Sequence, residues 1–185
     1  NTSINTIVGK VTGQNQGLTV TETSDLSIGA GNLTANGGLI SIRALGGTGI
    51  NGVGYLNAGT GNVTLNAPSG SIVLNANASQ VTGNWLNVTA SDNSTLNTNV
   101  TSLSSNVTAG NLTVIEANDL QVNANGINAA GGVNLTLTTG NLTGTGFINS
   151  VGDGVTLTVT GGNVTLRSEE HTSELQSRVD ISYAV

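Results

Sequence analysis

The sequence predicts an all-β protein: a right-handed parallel β-helix (β-solenoid) of about 7–9 coils with a non-native C-terminal tail. A repeated phrase, Gly-Asn-(Leu/Val)-Thr, is the first of three observations that predict it, and it begins at Gly31, Gly61, Gly110, Gly140 and Gly162. Short runs of alternating apolar and polar residues, bounded by Gly, Asn, Asp or Ser, are typical of strands and turns. Only 8% of residues are charged and 36% are hydrophobic, the opposite of the balance found in disordered chains.

Alternation with a period of two residues predicts the individual strands of the first 166 residues. The clearest runs are Leu18–Val20, Leu39–Ile42, Asn62–Ala67, Ser71–Ala76, Asn134–Thr138, Val155–Val159 and Asn163–Leu166. Their spacing predicts coils of about 18–24 residues, each with two or three short strands. An antiparallel sandwich has evenly spaced strands too, but it gives no reason for the phrases to resemble one another. Stacked Asn side chains are expected to form hydrogen bonds between coils.

The segment Val81–Val107 is the least regular part of the repeat region. It contains Trp85 and a polar run over residues 91–95. These residues predict a longer turn or a small excursion from the stack. Trp85 is expected to cap a coil or cover a loop rather than to serve as a ligand platform.

One acidic pattern occurs twice, within the similar segments 18–28 and 112–122. Glu22 and Asp25 form the first pair, and Glu116 and Asp119 form the second, 94 residues later. Two carboxylates about 5–9.5 Å apart could hydrolyse a glycosidic bond. Because four or five coils separate the pairs, we expect that they do not share a site and that each decorates the same kind of turn.

Other motifs favour structure over chemistry. Residues 47–52 match Gly-x-Gly-x-x-Gly, but a strand phrase follows where a dinucleotide site needs a helix. Asp153, between two glycines, is a single instance of a pattern that calcium-binding repeats use periodically. His171 is the only His and there is no Cys. The sequence therefore predicts no catalytic, cofactor-binding or metal-binding residues, no cofactor and no enzymatic activity.

Sequons for N-glycosylation are abundant, and two interpretations of them stay open. They begin at Asn1, Asn32, Asn62, Asn77, Asn87, Asn93, Asn99, Asn106, Asn111, Asn134, Asn141 and Asn163. We interpret most of them as the turn-to-strand phrase itself, because Asn-apolar-Thr fits that position. Attachment of glycans to an exposed face is the alternative.

Charge limits the possible partners. The formal net charge is −6, with four Lys and Arg residues that do not cluster. Phosphate backbones require clustered cations, so we expect no nucleic-acid partner. No run of 18 apolar residues occurs, so we expect no insertion of this segment into a membrane.

The residues from 167 onward differ in composition from the rest. Six of the fourteen charged residues lie in this stretch, and the Asn/Thr/Gly phrase stops. The segments 167–177 and 181–185 resemble the translation of sequencing-adapter DNA. We therefore expect two regions, a β-helix repeat domain at 1–166 and an artefactual tail at 167–185. Because the chain begins at Asn1, we expect the repeat domain to be a fragment or a processed product.

The Gly-Asn-Val-Thr-Leu phrases, most complete in residues 58–67, resemble the repeats of filamentous-haemagglutinin-like surface proteins. These proteins belong to two-partner secretion systems and to the autotransporter-like adhesins, and their repeats carry no catalytic residues. The resemblance covers residues 1–166. It implies a stalk fragment of a large secreted adhesin, extracellular and associated with the outer membrane at the bacterial cell surface. Its expected partners are host or neighbouring-cell surfaces, including glycans, and the adjacent repeats of the same chain.

Three alternatives remain open at this point. A purely structural extracellular rod or matrix protein would bind neither glycans nor cells. A polysaccharide-active β-helix enzyme would gather carboxylates on one groove. An ice-binding surface would need regular Thr-x-Thr rows, of which only three short instances occur, at residues 19–21, 136–138 and 156–158.

Overall fold

The computed structural model describes residues 4–166 and the backbone of residues 179–184. Residues 1–3, 167–178 and 185 lie outside the described residues, and so does most of the expected tail. The described residues form strands and turns without a helix, so none of them belongs to a helix that could cross a membrane. The strands are β1 (Thr6–Gln14), β2 (Leu18–Glu22), β3 (Leu26–Asn36), β4 (Ile40–Ala44), β5 (Gly49–Gly52), β6 (Leu56–Asn57), β7 (Val63–Ala67), β8 (Ser71–Leu74), β9 (Val81–Ala90), β10 (Ser94–Val107), β11 (Leu112–Glu116), β12 (Leu120–Ala129), β13 (Val133–Leu137), β14 (Leu142–Gly144), β15 (Ile148–Ser150), β16 (Val155–Thr160), β17 (Val164–Leu166) and β18 (Val179–Ala184).

The strands wind into a stack of parallel coils. One row of paired residues runs through Thr6, Ser27, Asn51, Val73, Thr95, Thr113, Asn134 and Thr156. Successive members are 21, 24, 22, 22, 18, 21 and 22 residues apart, which gives seven coils between Thr6 and Thr156. At about 4.8 Å per coil the stack is about 34 Å long. The predicted parallel β-solenoid and its coil length are confirmed.

The core is a column of branched apolar side chains inside the coil. Ile42, Leu65 and Val88 are neighbours in one inward row, and each has 0% of its surface exposed. Residues on either side of them in the strands point outward, as the two-residue period requires. Full burial of such a side chain contributes about 1.5–3 kcal/mol, so the stack is stabilised mainly by its inward rows.

A continuous polar row lies on the outside of one face, and we call it the outer row. It has seven members on successive coils: Thr21, Arg43, Asn66, Thr89, Asn106, Asn128 and Asn149. A second outward row on the same face contains Thr19, Ser41, Thr64, Asn87 and Ser104. Most of these side chains are at least partly exposed, but Ser104 is only 2% exposed.

The cross-section of the coil changes at β10, the longest strand. Thr98 lies beside Val81 of the preceding coil and beside Glu116 of the next. Residues 99 and 100 also have partners in β9, but on the other side the strand pairing ends at Thr98 and resumes only at Ser102. The coil that contains β10 is therefore the short one, with 18 residues between Thr95 and Thr113.

The expected excursion over Val81–Val107 is wrong. This segment forms β9 and β10, two long strands joined by a turn of only three residues, 91–93. Of the polar run 91–95 that suggested a loop, residues 91–93 form this turn, and Thr95 fits β10 because it lies between the buried residues Ser94 and Leu96.

The end of the chain contributes one strand to the described structure. β18 pairs in parallel with β16, from Val155–Val179 to Thr160–Ala184, and continues its column of strands. The origin of residues 167–185 as adapter-derived sequence stays a prediction, and so does the division of the chain at residue 166.

Candidate functional site

The Asn of the repeated phrase joins each coil to the next. In four of the five copies its side-chain oxygen accepts a backbone N–H from 21–23 residues later: Asn32 from Tyr55 (2.9 Å), Asn62 from Trp85 (3.3 Å), Asn111 from Gly132 (2.6 Å) and Asn141 from Asn163 (2.9 Å). The expected inter-coil bonding by Asn is therefore present, and in these copies it runs from backbone to side chain. These hydrogen bonds between coils give the Gly-Asn-(Leu/Val)-Thr phrase a structural role.

The two Glu residues of the acidic pattern reach back to earlier coils. The N–H of Ile4 donates to Glu22 Oε2 (2.8 Å), and the N–H of Val100 donates to Glu116 Oε2 (3.2 Å). Each carboxylate also accepts the N–H of the residue that follows it, at 2.8 Å in both cases. Glu22 is 4% exposed and Glu116 is 0% exposed. Both carboxylates are thus occupied by protein donors.

The two Asp residues reach forward to later coils. The N–H of Thr48 donates to Asp25 Oδ1 (2.8 Å), and the N–H of Asn141 donates to Asp119 Oδ1 (2.6 Å). Each Glu-x-x-Asp turn therefore fastens three successive coils. The turns lie at different corners, because the first precedes the column of β3, β5 and β8, whereas the second follows β11 of that same column.

The environments of the two Glu residues shift their acidities in opposite directions. Burial raises the pKa of Glu116 above its ordinary value of 4.5, despite hydrogen bonds from Thr98, Val100, Ala117 and Asn118 that act the other way. The N–H groups of Ile4 and Thr23 lower the pKa of Glu22. In the same turn pattern, the environment of Glu116 therefore favours the protonated form, and that of Glu22 favours the ionised form.

These placements bear on the glycosidase alternative. The two acidic pairs lie about four coils apart, which is on the order of 20 Å along the stack. That separation exceeds the ~5–9.5 Å that a pair of catalytic carboxylates requires. Within each pair, the Glu is buried in the stack and the Asp holds the next coil. The lack of enzymatic activity stays a prediction, and these contacts support it.

The remaining motifs occupy turns and strand starts. Gly49 and Gly52 of the Gly-x-Gly-x-x-Gly match lie in β5 with φ of 106° and 139°. A Cβ at Gly49 would overlap the carbonyl oxygen of Ser71, so glycine is required by the close approach of the next coil. Asp153 is exposed in the turn before β16. Within residues 4–166, no group of three His, Cys, Asp or Glu residues could hold a metal ion.

Trp85 covers a polar patch on the neighbouring coil. Its indole N–H donates to Ser104 Oγ (3.2 Å), whose hydroxyl in turn donates to Asn87 Oδ1 (3.1 Å). Ser104 is 2% exposed and Ser102, which pairs with Trp85, is 9% exposed. Trp85 therefore shields strand residues rather than a loop, and its ring remains half-buried.

One buried polar residue was not anticipated from the sequence. Gln80 is 0% exposed, and its amide donates to the carbonyls of Gly52 and Gly54 at 2.8 Å each. Its side-chain oxygen accepts the N–H of Ala76 (2.8 Å). Nothing in the local pattern marks it, because a Gln before a strand is ordinarily exposed.

Comparisons with known proteins found no matching family model, no similar curated protein and no similar solved structure.

Proposed function

We propose that this chain is a repeat-stalk segment of a large secreted bacterial surface adhesin. The outer row is the observation that carries the proposal. It places one hydroxyl, amide or guanidinium group on each of seven successive coils, from Thr21 to Asn149. Repeated weak contacts of this kind multiply avidity when the partner is itself repetitive, as a glycan-coated cell surface is.

The rod geometry supports the same role. Each coil contacts only its neighbours, so the stack can lengthen without changing its cross-section or its stabilising contacts. A long stack of this type projects a distal region away from the surface that anchors it. We therefore propose an extracellular location at the bacterial cell surface, with adjacent repeats of the same chain as structural partners.

The carboxylates support a non-catalytic stalk. Glu22, Glu116, Asp25 and Asp119 all accept backbone N–H groups from other coils. Acids engaged in this way stabilise the array and are not free to transfer protons to a substrate.

The experiment is binding of cells to beads that carry the 185-residue chain at low and high density. We expect attachment to rise steeply with density, because multivalent contact can exceed single-site affinity by about 10²–10⁴. A Thr89→Ala/Asn106→Ala double variant removes two adjacent members of the outer row and should lower attachment at high density by about tenfold. Asn134→Ala/Thr136→Ala changes the same residue types on another face and should leave attachment unchanged.

The alternative is a purely structural extracellular rod, and one observation favours it. Some outward side chains bond to one another: the Asn149 amide donates to Asn128 Oδ1 (3.1 Å), and Ser104 donates to Asn87. Groups satisfied in this way offer less to a partner. If beads carrying the wild-type chain attach no more cells than bare beads at any density, the rod replaces the adhesin.

A further inference from the structure

An open cleft of about 810 Å³ lies across the first three coils. A ligand pocket commonly has a volume of about 300–1,000 Å³, so the cleft is large enough for one or two sugar rings. Its lining contains no carboxylate and consists of small, polar and apolar residues around one cation: Val8, Gly9, Lys10, Val11, Thr12, Gly31, Asn32, Thr34, Ala35, Asn36, Asn57 and Gly59.

Lys10 is the charged group of this cleft. It is exposed, and it pairs through the backbone with Thr34, which pairs in turn with Asn57. Lys10 has no ion pair or side-chain hydrogen bond within the described residues. Only two cations occur in residues 4–166, and the other, Arg43, lies on the outer row. The positive charge in the cleft is therefore not used to hold the coils together.

Two Asn side chains present donors to the same cleft. Asn32 Oδ1 already accepts the N–H of Tyr55 (2.9 Å), and Asn57 Oδ1 already accepts the N–H of Gly59 (2.8 Å). Their oxygens are engaged, so each leaves its NH₂ group for a ligand. With the ammonium group of Lys10, these amides make the cleft rich in donors, and a donor-rich cleft favours a ligand that accepts hydrogen bonds and carries negative charge.

The cleft also has an apolar wall. Val8 is 53% exposed. A Cβ at Gly31 would lie 3.2 Å from two carbons of Val8, so glycine here lets the two strands approach closely. A sugar ring has one face of C–H groups that could lie against Val8 while its hydroxyls face the amides.

We propose that this cleft binds an acidic sugar residue of a polysaccharide, with the sugar carboxylate at Lys10 and the hydroxyls at Asn32 and Asn57. The inference rests on the proposed adhesin function and names the chemistry of its receptor. A hexuronate satisfies all three features of the cleft: one negative charge for one cation, several acceptors for the amides, and an apolar ring face. A nucleic acid would require a row of cations that the cleft lacks.

The test is titration of the 185-residue chain with trigalacturonate, followed by calorimetry and by NMR. We expect saturable binding that weakens as salt is added, because one charged pair contributes. Lys10→Gln should weaken binding by about tenfold or more, since a charge-assisted hydrogen bond is lost. Lys10→Arg keeps the positive charge at the same position and should bind nearly like the wild type. Neutral galactotriose should bind more weakly than trigalacturonate.

Three results would overturn the assignment. They are no binding of trigalacturonate, equal affinity in the wild type and Lys10→Gln, and an equal loss in Lys10→Arg and Lys10→Gln. Thermal unfolding of each variant shows whether the fold is intact, and Lys10 is exposed, so Lys10→Gln should unfold at the wild-type temperature. If trigalacturonate fails to bind while beads carrying the chain still attach cells, the cleft assignment fails and the adhesin proposal stands.

Discussion

Glu116 joins the two parts of the stack at the point where the coil becomes shorter. Its carboxylate accepts the N–H of Val100, in the part of β10 without a strand partner on that side, and the hydroxyl of Thr98 (2.7 Å). It also accepts the N–H of Ala117 in its own turn. The fully buried side chain of Glu116 thus supplies hydrogen-bond acceptors that a neighbouring strand would otherwise provide.

Replacing Glu116 with Ala should destabilise the protein strongly. The change leaves the buried N–H of Val100 without an acceptor, and an unsatisfied group of this kind costs about 1–3 kcal/mol. It also removes the short bond from the Thr98 hydroxyl, which keeps only a long contact (3.5 Å) with the carbonyl of Ile115. We expect the free energy of unfolding to fall by about 2–4 kcal/mol, measured by urea denaturation. Asp153→Ala, which removes an exposed acid without a side-chain hydrogen bond in the described residues, should change stability by less than about 0.5 kcal/mol. Equal effects of the two changes would contradict this role for Glu116.

The free energy of unfolding should depend on pH in a way that reflects the raised pKa of Glu116. Its pKa is raised in the folded protein, so between the ordinary value of 4.5 and the raised value the folded state holds a proton that the unfolded chain has released. Folding takes up a proton in that window, and stability therefore falls as the pH rises through it. The contribution of one group cannot exceed about 1.4 kcal/mol per pH unit.

Glu116→Gln tests this prediction. The amide cannot titrate, so the wild type should gain stability relative to the variant when the pH is lowered from neutral toward the ordinary value of 4.5. Glu22 does not confuse the comparison, because its lowered pKa affects stability only as the pH falls below about 4.5. The measurement is the unfolding temperature of both proteins across this range. Parallel curves would show that Glu116 does not titrate as its burial requires.

At the scale of elements, the repeated phrase begins a strand, and its Asn side chain forms hydrogen bonds with neighbouring coils. Asn141 shows both halves of the arrangement: its oxygen accepts the N–H of Asn163, and its amide donates to Asp119 Oδ1 (3.2 Å). The side chains of Asp119 and Asn141 and the backbone N–H of Asn163 therefore form a ladder of hydrogen bonds along one corner of the solenoid. An equivalent ladder lies at another corner, where Asn93 accepts the N–H of Asn111 and Asn111 accepts the N–H of Gly132.

Asn141→Ala should lower the free energy of unfolding by about 1–2 kcal/mol, because its two inter-coil hydrogen bonds, to Asn163 and to Asp119, are lost at an exposed corner. Asn134→Ala is a close control, since both residues begin an Asn-Leu-Thr sequon. Asn134 is exposed in the middle of a strand and has no side-chain hydrogen bond in the described residues, so its replacement should be nearly neutral. Chemical denaturation of the two variants shows whether the Asn141 side chain stabilises the stack or is only solvated, as that of Asn134 is.

Strand prediction from sequence succeeded where apolar and polar residues alternate strictly. Residues 63–67 and 155–159 are examples, because Val and Leu point inward at every second position. Prediction failed at β10, where Ser102, Ser104 and Ser105 are buried and break the apolar alternation. The hydroxyl of Ser104 is bonded to Trp85 of the preceding coil, a contact that local sequence cannot reveal.

At the scale of the whole molecule, the sequence predicted the stacking and its period but not the sites between coils. The repeat phrases required neighbouring coils to be alike, and their spacing set the coil length. The cleft at Lys10 is formed by residues from three coils, with Asn32 and Asn57 brought beside it only by winding. Its assembly depends on the register of β1, β3 and β6, which is a property of the folded stack.

Many Asn and Asp side chains accept hydrogen bonds from residues later in the chain, so each coil prepares the position of the coil that follows it. Asn32, Asn111 and Asn141 each hold an acceptor that is filled only when the next stretch of chain arrives. A folded coil therefore presents hydrogen-bond acceptors that are already in position for the backbone of the next coil. Folding that starts near the N-terminus can advance one turn at a time, in the order in which a ribosome or an export channel releases the polypeptide.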